Sequence, residues 1–78
     1  MRVPRYYQLT QIPSMKDENR LSYYLAIHSV KLRKLNEERE DYPDMEDENP
    51  ERMDQWDIWH SFHSDMIDAI ITRLTELS

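Results

Sequence analysis

Two long segments of the chain carry apolar positions at helical spacing. In the first segment these positions follow one another at alternating steps of four and three residues, which places them on one side of an α-helix. They are Leu21, Leu25, His28, Leu32 and Leu35. A second stripe, roughly opposite, consists of Tyr23, Ile27 and Val30. We therefore predict a helix over residues 14–38 that contacts two neighbours.

The second segment has the clearer amphipathic pattern. One side of the predicted helix carries Trp56, Trp59, His63, Met66, Ile70, Leu74 and Leu77, opposite a side rich in aspartate, serine and threonine. Phe62 and Ala69 widen the apolar side in one direction and Ile67 and Ile71 in the other, to an arc of roughly 200°. One neighbouring helix covers about half of such an arc. We therefore expect a second copy of the chain, or another protein, to cover the remainder.

The second helix has a clear start signal in Asn49, Pro50 and Glu51. Asparagine is a good N-cap, proline is tolerated at the first helical position, and an acid stabilises the positive end of the helix dipole. The helix is therefore predicted over residues 50–77.

The boundaries of the first helix depend on weaker signals. Ser14 is the expected N-cap, with Asp17 in place of the usual capping-box glutamate. At the other end, Glu37, Glu38 and Glu40 would oppose the negative end of the helix dipole. We therefore expect fraying after Leu35 or Asn36.

The two remaining segments are predicted to be non-helical. Residues 1–13 are rich in tyrosine and bounded by Pro4 and Pro13, which favours an extended arm or one short strand. Residues 37–52 contain nine acids together with Pro43 and Pro50. We interpret residues 39–49 as an acidic loop, stiffened by proline and extended by charge repulsion.

The composition restricts the fold class. The chain has no glycine among its 78 residues, and tight hairpin turns and phosphate-binding loops depend on glycine. The chain also has no cysteine, and a domain of this size has a small core, so oligomerisation is the expected source of extra stability. The prediction is a single all-α domain over residues 1–78: a two-helix antiparallel hairpin with an extended N-terminal arm, dimerising into a four-helix bundle.

Charge is divided unevenly along the chain. Residues 1–36 have a net charge of +5 and the remaining residues −11, for a total of −6. This asymmetry is compatible with chains that complement each other, or with a basic protein bound by the acidic segment. Two alternatives stay open. The basic N-terminal half, with Tyr6 and Tyr7, could contact nucleic acid, although the overall negative charge does not favour this, and the acidic segment could imitate nucleic-acid phosphates, as phage-type inhibitors do.

Histidines are the main candidates for chemistry. His60 and His63 lie three residues apart, one turn after Asp57, a spacing compatible with a metal or general-base site. His63 and His28 also occupy apolar stripes, so buried or interfacial histidines explain the pattern without a metal. We therefore predict no metal and no cofactor. If His28 and His63 lie in an interface between chains, their protonation below about pH 6.5 would loosen it.

The acidic pairs Glu37/Glu40 and Glu51/Asp54 are similar to the motifs with which all-α nucleotide pyrophosphohydrolases hold magnesium. This resemblance implies a magnesium-dependent enzyme as an alternative function. Those enzymes carry the acids on adjoining helices, whereas Pro43 and Pro50 place much of this region in a predicted loop.

Our main functional prediction is a non-catalytic interaction or regulatory protein. It self-associates through its helices as a homodimer and presents an acidic loop to a basic partner. The predicted contact residues are Trp56, Trp59, Phe62, Met66, Ile70 and Leu74 on the helix, and Asp44, Glu46, Asp47 and Glu48 in the loop. No apolar run reaches the roughly 20 residues of a membrane span, and Met1–Gln11 lacks a signal-peptide pattern, so we expect a cytoplasmic protein without membrane contact.

Overall fold

A computed structural model describes residues 3–78 of the chain. The protein is 84% helical and forms no strand within the described range, which confirms the all-α prediction. Its helices are α1 (Tyr7–Gln11), α2 (Glu18–Asp41), α3 (Met45–Glu48) and α4 (Pro50–Leu77). A short 3-10 turn, Ile12–Ser14, follows α1 directly. None of the helices in this range is long and apolar enough to cross a membrane.

Helix α4 begins at Pro50, the residue at which the sequence places it. The Asn49 side chain caps the helix by accepting a hydrogen bond of 3.2 Å from the backbone N–H of Arg52. Because proline has no N–H to leave unpaired at this position, the start combines a satisfied cap with a preset backbone angle. Helix α4 then continues for 28 residues.

The predicted bounds of the first helix are wrong at both ends. Its N-cap is Asp17, which accepts a 3.2 Å hydrogen bond from the N–H of Arg20, whereas the Ser14 hydroxyl donates to the Gln11 carbonyl in the 3-10 turn. The helix also continues to Asp41 instead of fraying after Leu35 or Asn36. Basic side chains offset the acids at this end: Arg39 lies in the last turn, and Arg52 of α4 bonds to Glu38.

The N-terminal segment is helical where the sequence predicts an extended arm. Helix α1 and the 3-10 turn form a compact segment that buries Ile12 and packs Leu9 against the core. Arg73 holds the end of this segment by donating a 2.7 Å hydrogen bond to the Met15 carbonyl. Burial of Ile12 against α4 outweighs the local preference for extended backbone before Pro13. Residues 1 and 2 of the predicted arm lie outside the described range.

The predicted acidic loop over residues 39–49 is likewise shorter than expected. Residues 39–41 belong to α2, and α3 adds one helical turn that buries Met45 completely. Arg39 stabilises the connection by donating to the carbonyls of Tyr42 and Pro43, both at 3.0 Å. Charge repulsion is therefore overcome by one buried side chain and one arginine that satisfies two carbonyl groups.

The two long helices pack against each other, and their contacts follow opposite orders along the two segments. His28 meets His63, Leu35 meets Trp56, and Glu38 meets Arg52. The buried apolar cluster consists of Ile12, Leu21, Phe62, Met66 and Ile70. The molecule is elongated, with extents of 45 × 21 × 14 Å.

The backbone of residues 3–78 contains no residue with a positive φ angle and no cis peptide bond. The helix ends at Tyr42 and Asn49 are instead made with φ angles of −130° and −143°. The connections between the helices are therefore formed entirely in backbone regions that residues other than glycine adopt.

Candidate functional site

The candidate site is centred on a pair of buried histidines between α2 and α4. His28 is 7% exposed and His63 is 4% exposed, which confirms that these stripe histidines are buried. Their Nδ1 atoms lie 2.8 Å apart, a hydrogen-bond distance. One ring must donate its Nδ1–H and the other must accept with its Nδ1 lone pair, so the two rings have different tautomers when both are neutral.

Aromatic rings enclose this histidine pair. Phe62 meets the His28 ring edge to face at a centroid distance of 5.8 Å, and Trp59 lies over the His63 ring at 5.6 Å. Tyr6 of the N-terminal segment meets Phe62 at 5.7 Å. The pair is therefore surrounded by apolar ring surface, which makes a charge on it costly.

The electrostatics of the site disfavour a proton on either ring. Burial, followed by the neighbouring His28, Lys31 and His60, lowers the pKa of His63 to about 4. Burial, and then the nearby Lys31, also lower the pKa of His28. The neutral form is therefore favoured for both imidazoles at physiological pH.

Two open grooves flank the histidine pair on the side of α2 and α4 that carries the N-terminal segment. Groove A, of about 470 Å³, is lined by Lys31, Lys34, Leu35, Glu38, Arg52, Gln55, Trp59 and His63. Groove B, of about 460 Å³, lies between α2 and the N-terminal segment and is lined by His28, Tyr7, Gln8, Gln11, Arg20 and Tyr24, among others. Each histidine thus borders a different groove.

Polar contacts fasten the helices beyond the histidine pair, towards α3. The Trp56 indole N–H donates to the Leu35 carbonyl at 2.6 Å. The Arg52 guanidinium bonds both oxygens of the Glu38 carboxylate, with Nε 2.7 Å from Oε2. The bidentate geometry fixes the orientation of both side chains. The Arg52 partner holds the pKa of Glu38 below its usual range.

The opposite side of the helix pair, here called the open face, carries a row of apolar side chains on each helix. On α2 it contains Leu25 and Leu32, seven residues apart, and on α4 it contains His60, Ile67 and Ile71 at steps of seven and four. Trp56 stacks on His60 at a centroid distance of 4.6 Å. Phe62 and Arg73, which meet the N-terminal segment, lie on the other flank of α4. The segment therefore leaves the open face uncovered, and Ile71 is 48% exposed.

The predicted contact residues divide into three groups. Phe62, Met66 and Ile70 lie in the buried cluster of the chain itself, whereas Trp56, Trp59 and Leu74 are half-buried. Asp44, Glu46, Asp47 and Glu48 are exposed around α3, and none forms a salt bridge with a base in the described part of the chain. The sequence interpretation missed Leu25 and Leu32 as surface residues. Their seven-residue spacing, beside Ile67 and Ile71, was the available signal.

The acids of the pyrophosphohydrolase-like pairs lie on helix ends, Glu37 and Glu40 on α2 and Glu51 and Asp54 on α4. Within residues 3–78, no three histidine, aspartate or glutamate side chains form a group that could hold a metal ion. The His28–His63 pair alone offers two of the roughly four ligands that a zinc ion takes in proteins.

No protein-family model, curated protein or solved structure matches this chain.

Proposed function

We propose that this protein is a non-catalytic interaction protein that self-associates through its open face and presents an acidic turn, formed by Asp44, Glu46, Asp47 and Glu48 around α3, to a basic partner. In this proposal α2 and α4 form an antiparallel hairpin, and two hairpins pack into a four-helix bundle. The opposite order of contacts along the two helices supports the hairpin. The main support for the proposal is that the N-terminal segment covers one side of the helix pair and leaves the other side open.

The unequal covering supports a helical partner. On one side the N-terminal segment buries Ile12 against α4, and on the other Leu25, Leu32, Ile67 and Ile71 are only half-buried or exposed. A second helix pair would remove these side chains from water, worth about 25 cal/mol per Å² of apolar surface. Leu and Ile at steps of four and seven are typical of helix-to-helix packing.

Charge at the edge of the open face is compatible with a second copy of this chain as the partner. The exposed acids of α4 are Glu51, Asp54, Asp57, Asp65, Asp68 and Glu76, and its two bases, Arg52 and Arg73, are both paired. The exposed bases of α2 are Arg20, Lys31, Arg33 and Lys34. Of these bases, Arg20, Lys31 and Lys34 line the grooves on the other side of the helix pair, so in a two-fold arrangement that places α2 of each copy beside α4 of the other it is Arg33 that comes close to the acids of α4.

Self-association is tested by sedimentation of the wild type and two matched variants at about 50 μM. Ile71→Lys places a charge on the open face, and Val30→Lys adds the same charge on the outer side of α2, where Val30 is 40% exposed. We expect a dimeric wild type, a monomeric Ile71→Lys variant and a dimeric Val30→Lys variant. A monomeric wild type, or equal dissociation of the two variants, contradicts the proposal.

The acidic turn is tested with a lysine-rich peptide as the probe. Neutralising Glu46, Asp47 and Glu48 as glutamine, asparagine and glutamine should weaken peptide binding and its salt dependence. The control neutralises Asp65, Asp68 and Glu76, which changes the net charge equally on the exposed surface of α4. Equal loss from both triple variants would show that net charge, and not the turn, attracts the peptide.

A further inference from the structure

The histidine pair lies near the middle of the contact between the two long helices. Towards the chain termini the helices meet through Leu21, Met66 and Ile70, and towards α3 through Trp56 and Arg52. One ring belongs to α2 and the other to α4, so any change in their hydrogen bond acts directly on the separation of the two helices.

The histidine pair can accept one added proton, but not two, without losing its hydrogen bond. In the neutral pair the donor ring has a free lone pair on Nε2, and the acceptor ring has its lone pair on Nδ1. A first proton binds Nε2 of the donor ring and keeps the Nδ1–H···Nδ1 bond. A second proton can only bind Nδ1 of the acceptor ring, which sets two N–H groups against each other at 2.8 Å.

Within the described part of the chain, the grooves beside the pair provide no unpaired negative charge to balance these protons. From α2, Lys31 and Lys34 line groove A and Arg20 lines groove B. From α4, His60 adds repulsion, and Arg52 is matched by Glu38, the single acid lining either groove. The N-terminal segment contributes Tyr7, Gln8 and Gln11 to groove B, none of which is a carboxylate.

We propose that the His28–His63 pair is an acid-operated latch: the neutral pair holds α2 to α4, and the second proton separates the helices at their centre. Separation would expose Trp59 and Phe62 and displace Leu25, Leu32 and Ile67, which share the same two helices. The latch acts within one chain, so it does not depend on self-association. It would nevertheless make any assembly on the open face sensitive to pH.

The first test is the nitrogen NMR spectrum of the histidine rings in the wild-type protein. At about pH 7.5 one of His28 and His63 should be the Nδ1–H tautomer and the other the Nε2–H tautomer, because a single Nδ1–H links them. Free imidazole side chains favour the Nε2–H form, so an Nδ1–H ring is diagnostic of the bond. Two Nε2–H rings would overturn the proposal.

The second test counts protons through the pH dependence of unfolding. As the pH is lowered below about 6, the unfolding equilibrium constant of both proteins should rise. For each pH unit, the rise in the wild type should exceed that in the His28→Gln/His63→Gln variant by a factor of about 10 to 100. His60→Gln, which removes a histidine outside the pair, should keep the wild-type dependence. An equal effect of His60→Gln and the double variant would overturn the latch.

The third test keeps the proposal falsifiable if the double variant does not fold. Intrinsic tryptophan fluorescence of the wild type should report exposure of Trp59 in one transition below about pH 6, at a pH where far-ultraviolet circular dichroism is still helical. Loss of both signals together would show general acid unfolding and contradict a central latch. Strong stabilisation by zinc alone would instead assign the two rings as metal ligands and also overturn it.

Discussion

The two halves of the α2–α4 contact are built differently. The half near the chain termini is apolar: Leu21, Phe62, Met66 and Ile70 form the core with Ile12, all at most 3% exposed. The half near α3 is fastened by the Trp56 indole, the Arg52–Glu38 pair and one buried methionine, Met45. The histidine pair lies at the boundary between them.

Because of this difference, we expect one half to determine the stability of the protein and the other to determine the register of α2 against α4. Burial of apolar side chains is non-directional and contributes most of the free energy of folding, whereas hydrogen bonds contribute less but require defined geometry. The apolar half should therefore determine how stable the protein is. The polar half should determine which residues of α2 face which residues of α4.

The largest effect is expected from a cavity in the apolar half. Ile70 is completely buried, so Ile70→Ala should lower the free energy of unfolding by about 4 kcal/mol, measured by urea denaturation. The neighbouring Ile71→Ala, at 48% exposure in the monomer, is the matched control and should cost less than about 1 kcal/mol when measured at dilution. Similar losses would contradict the division into halves.

The second largest effect is expected from acid, which should weaken the contact at the histidine pair. The pKa of His63 is lowered to about 4 and that of His28 is also lowered, both chiefly by burial, so the unfolded chain binds more protons below about pH 6.5. Stability is complete above that pH and is lost as the pH falls towards about 4, by roughly 3 kcal/mol for His63. Denaturation curves across this range measure the loss. Constant stability between about pH 6.5 and 5 would refute it.

Removing the indole hydrogen bond should have a moderate effect. Trp56→Phe leaves the Leu35 carbonyl without its 2.6 Å donor and should cost about 1 kcal/mol. Trp59→Phe is the comparison, because Trp59 packs on His63 without a hydrogen bond to α2 in the described structure. Amide hydrogen exchange should show the Trp56 variant opening mainly around Leu35, with the apolar half still protected.

The smallest effect is expected from the ion pair. Arg52 and Glu38 are each about one third exposed, so solvent screening limits Glu38→Gln to about 0.5 kcal/mol at neutral pH. The lowered pKa of Glu38 means that this contribution is present above about pH 4.5 and is lost as the pH falls below it. High salt should reduce the difference between wild type and variant. Glu37→Gln, which removes a 3.9 Å contact with Arg33, should lower the free energy of unfolding by less than Glu38→Gln does.

Helix α4 was predictable because its signals agree with one another. Cap, proline, first-turn acid and a 28-residue amphipathic pattern all indicate the same helix. The apolar core positions on it, from Phe62 to Ile70, also follow from that pattern. Helix α2 was predictable as an element, but its C-terminal end was not, because Arg39 donates to the carbonyls of Tyr42 and Pro43 and Arg52 pairs with Glu38, contacts that spacing alone does not show.

The N-terminal segment could not be predicted for a related reason. Its proline-bounded, tyrosine-rich sequence has no helical periodicity, and its five-residue helix is stabilised by packing of Ile12 and Leu9 on α4. That packing also changes the interpretation of the wide apolar arc. The chain covers one flank of α4 itself, and the surface left over is the open face.

The candidate site was predictable only as separate residues. His28 and His63 were recognisable as members of two apolar stripes, but their direct pairing across 35 residues depends on the register of the two helices. A shift of one turn would place Leu25 or Leu32 of α2 opposite His63, or Met66 or Ile67 of α4 opposite His28. The 2.8 Å contact is therefore a product of the polar half, which sets that register.

The absence of glycine has a consequence for the denatured chain. Every residue carries a β-carbon, and four prolines restrict the backbone further, so the denatured ensemble has fewer conformations than that of an average sequence of this length. Folding then loses less backbone entropy for each residue ordered. Part of the stability of this small protein thus originates in the restricted conformations of its unfolded chain.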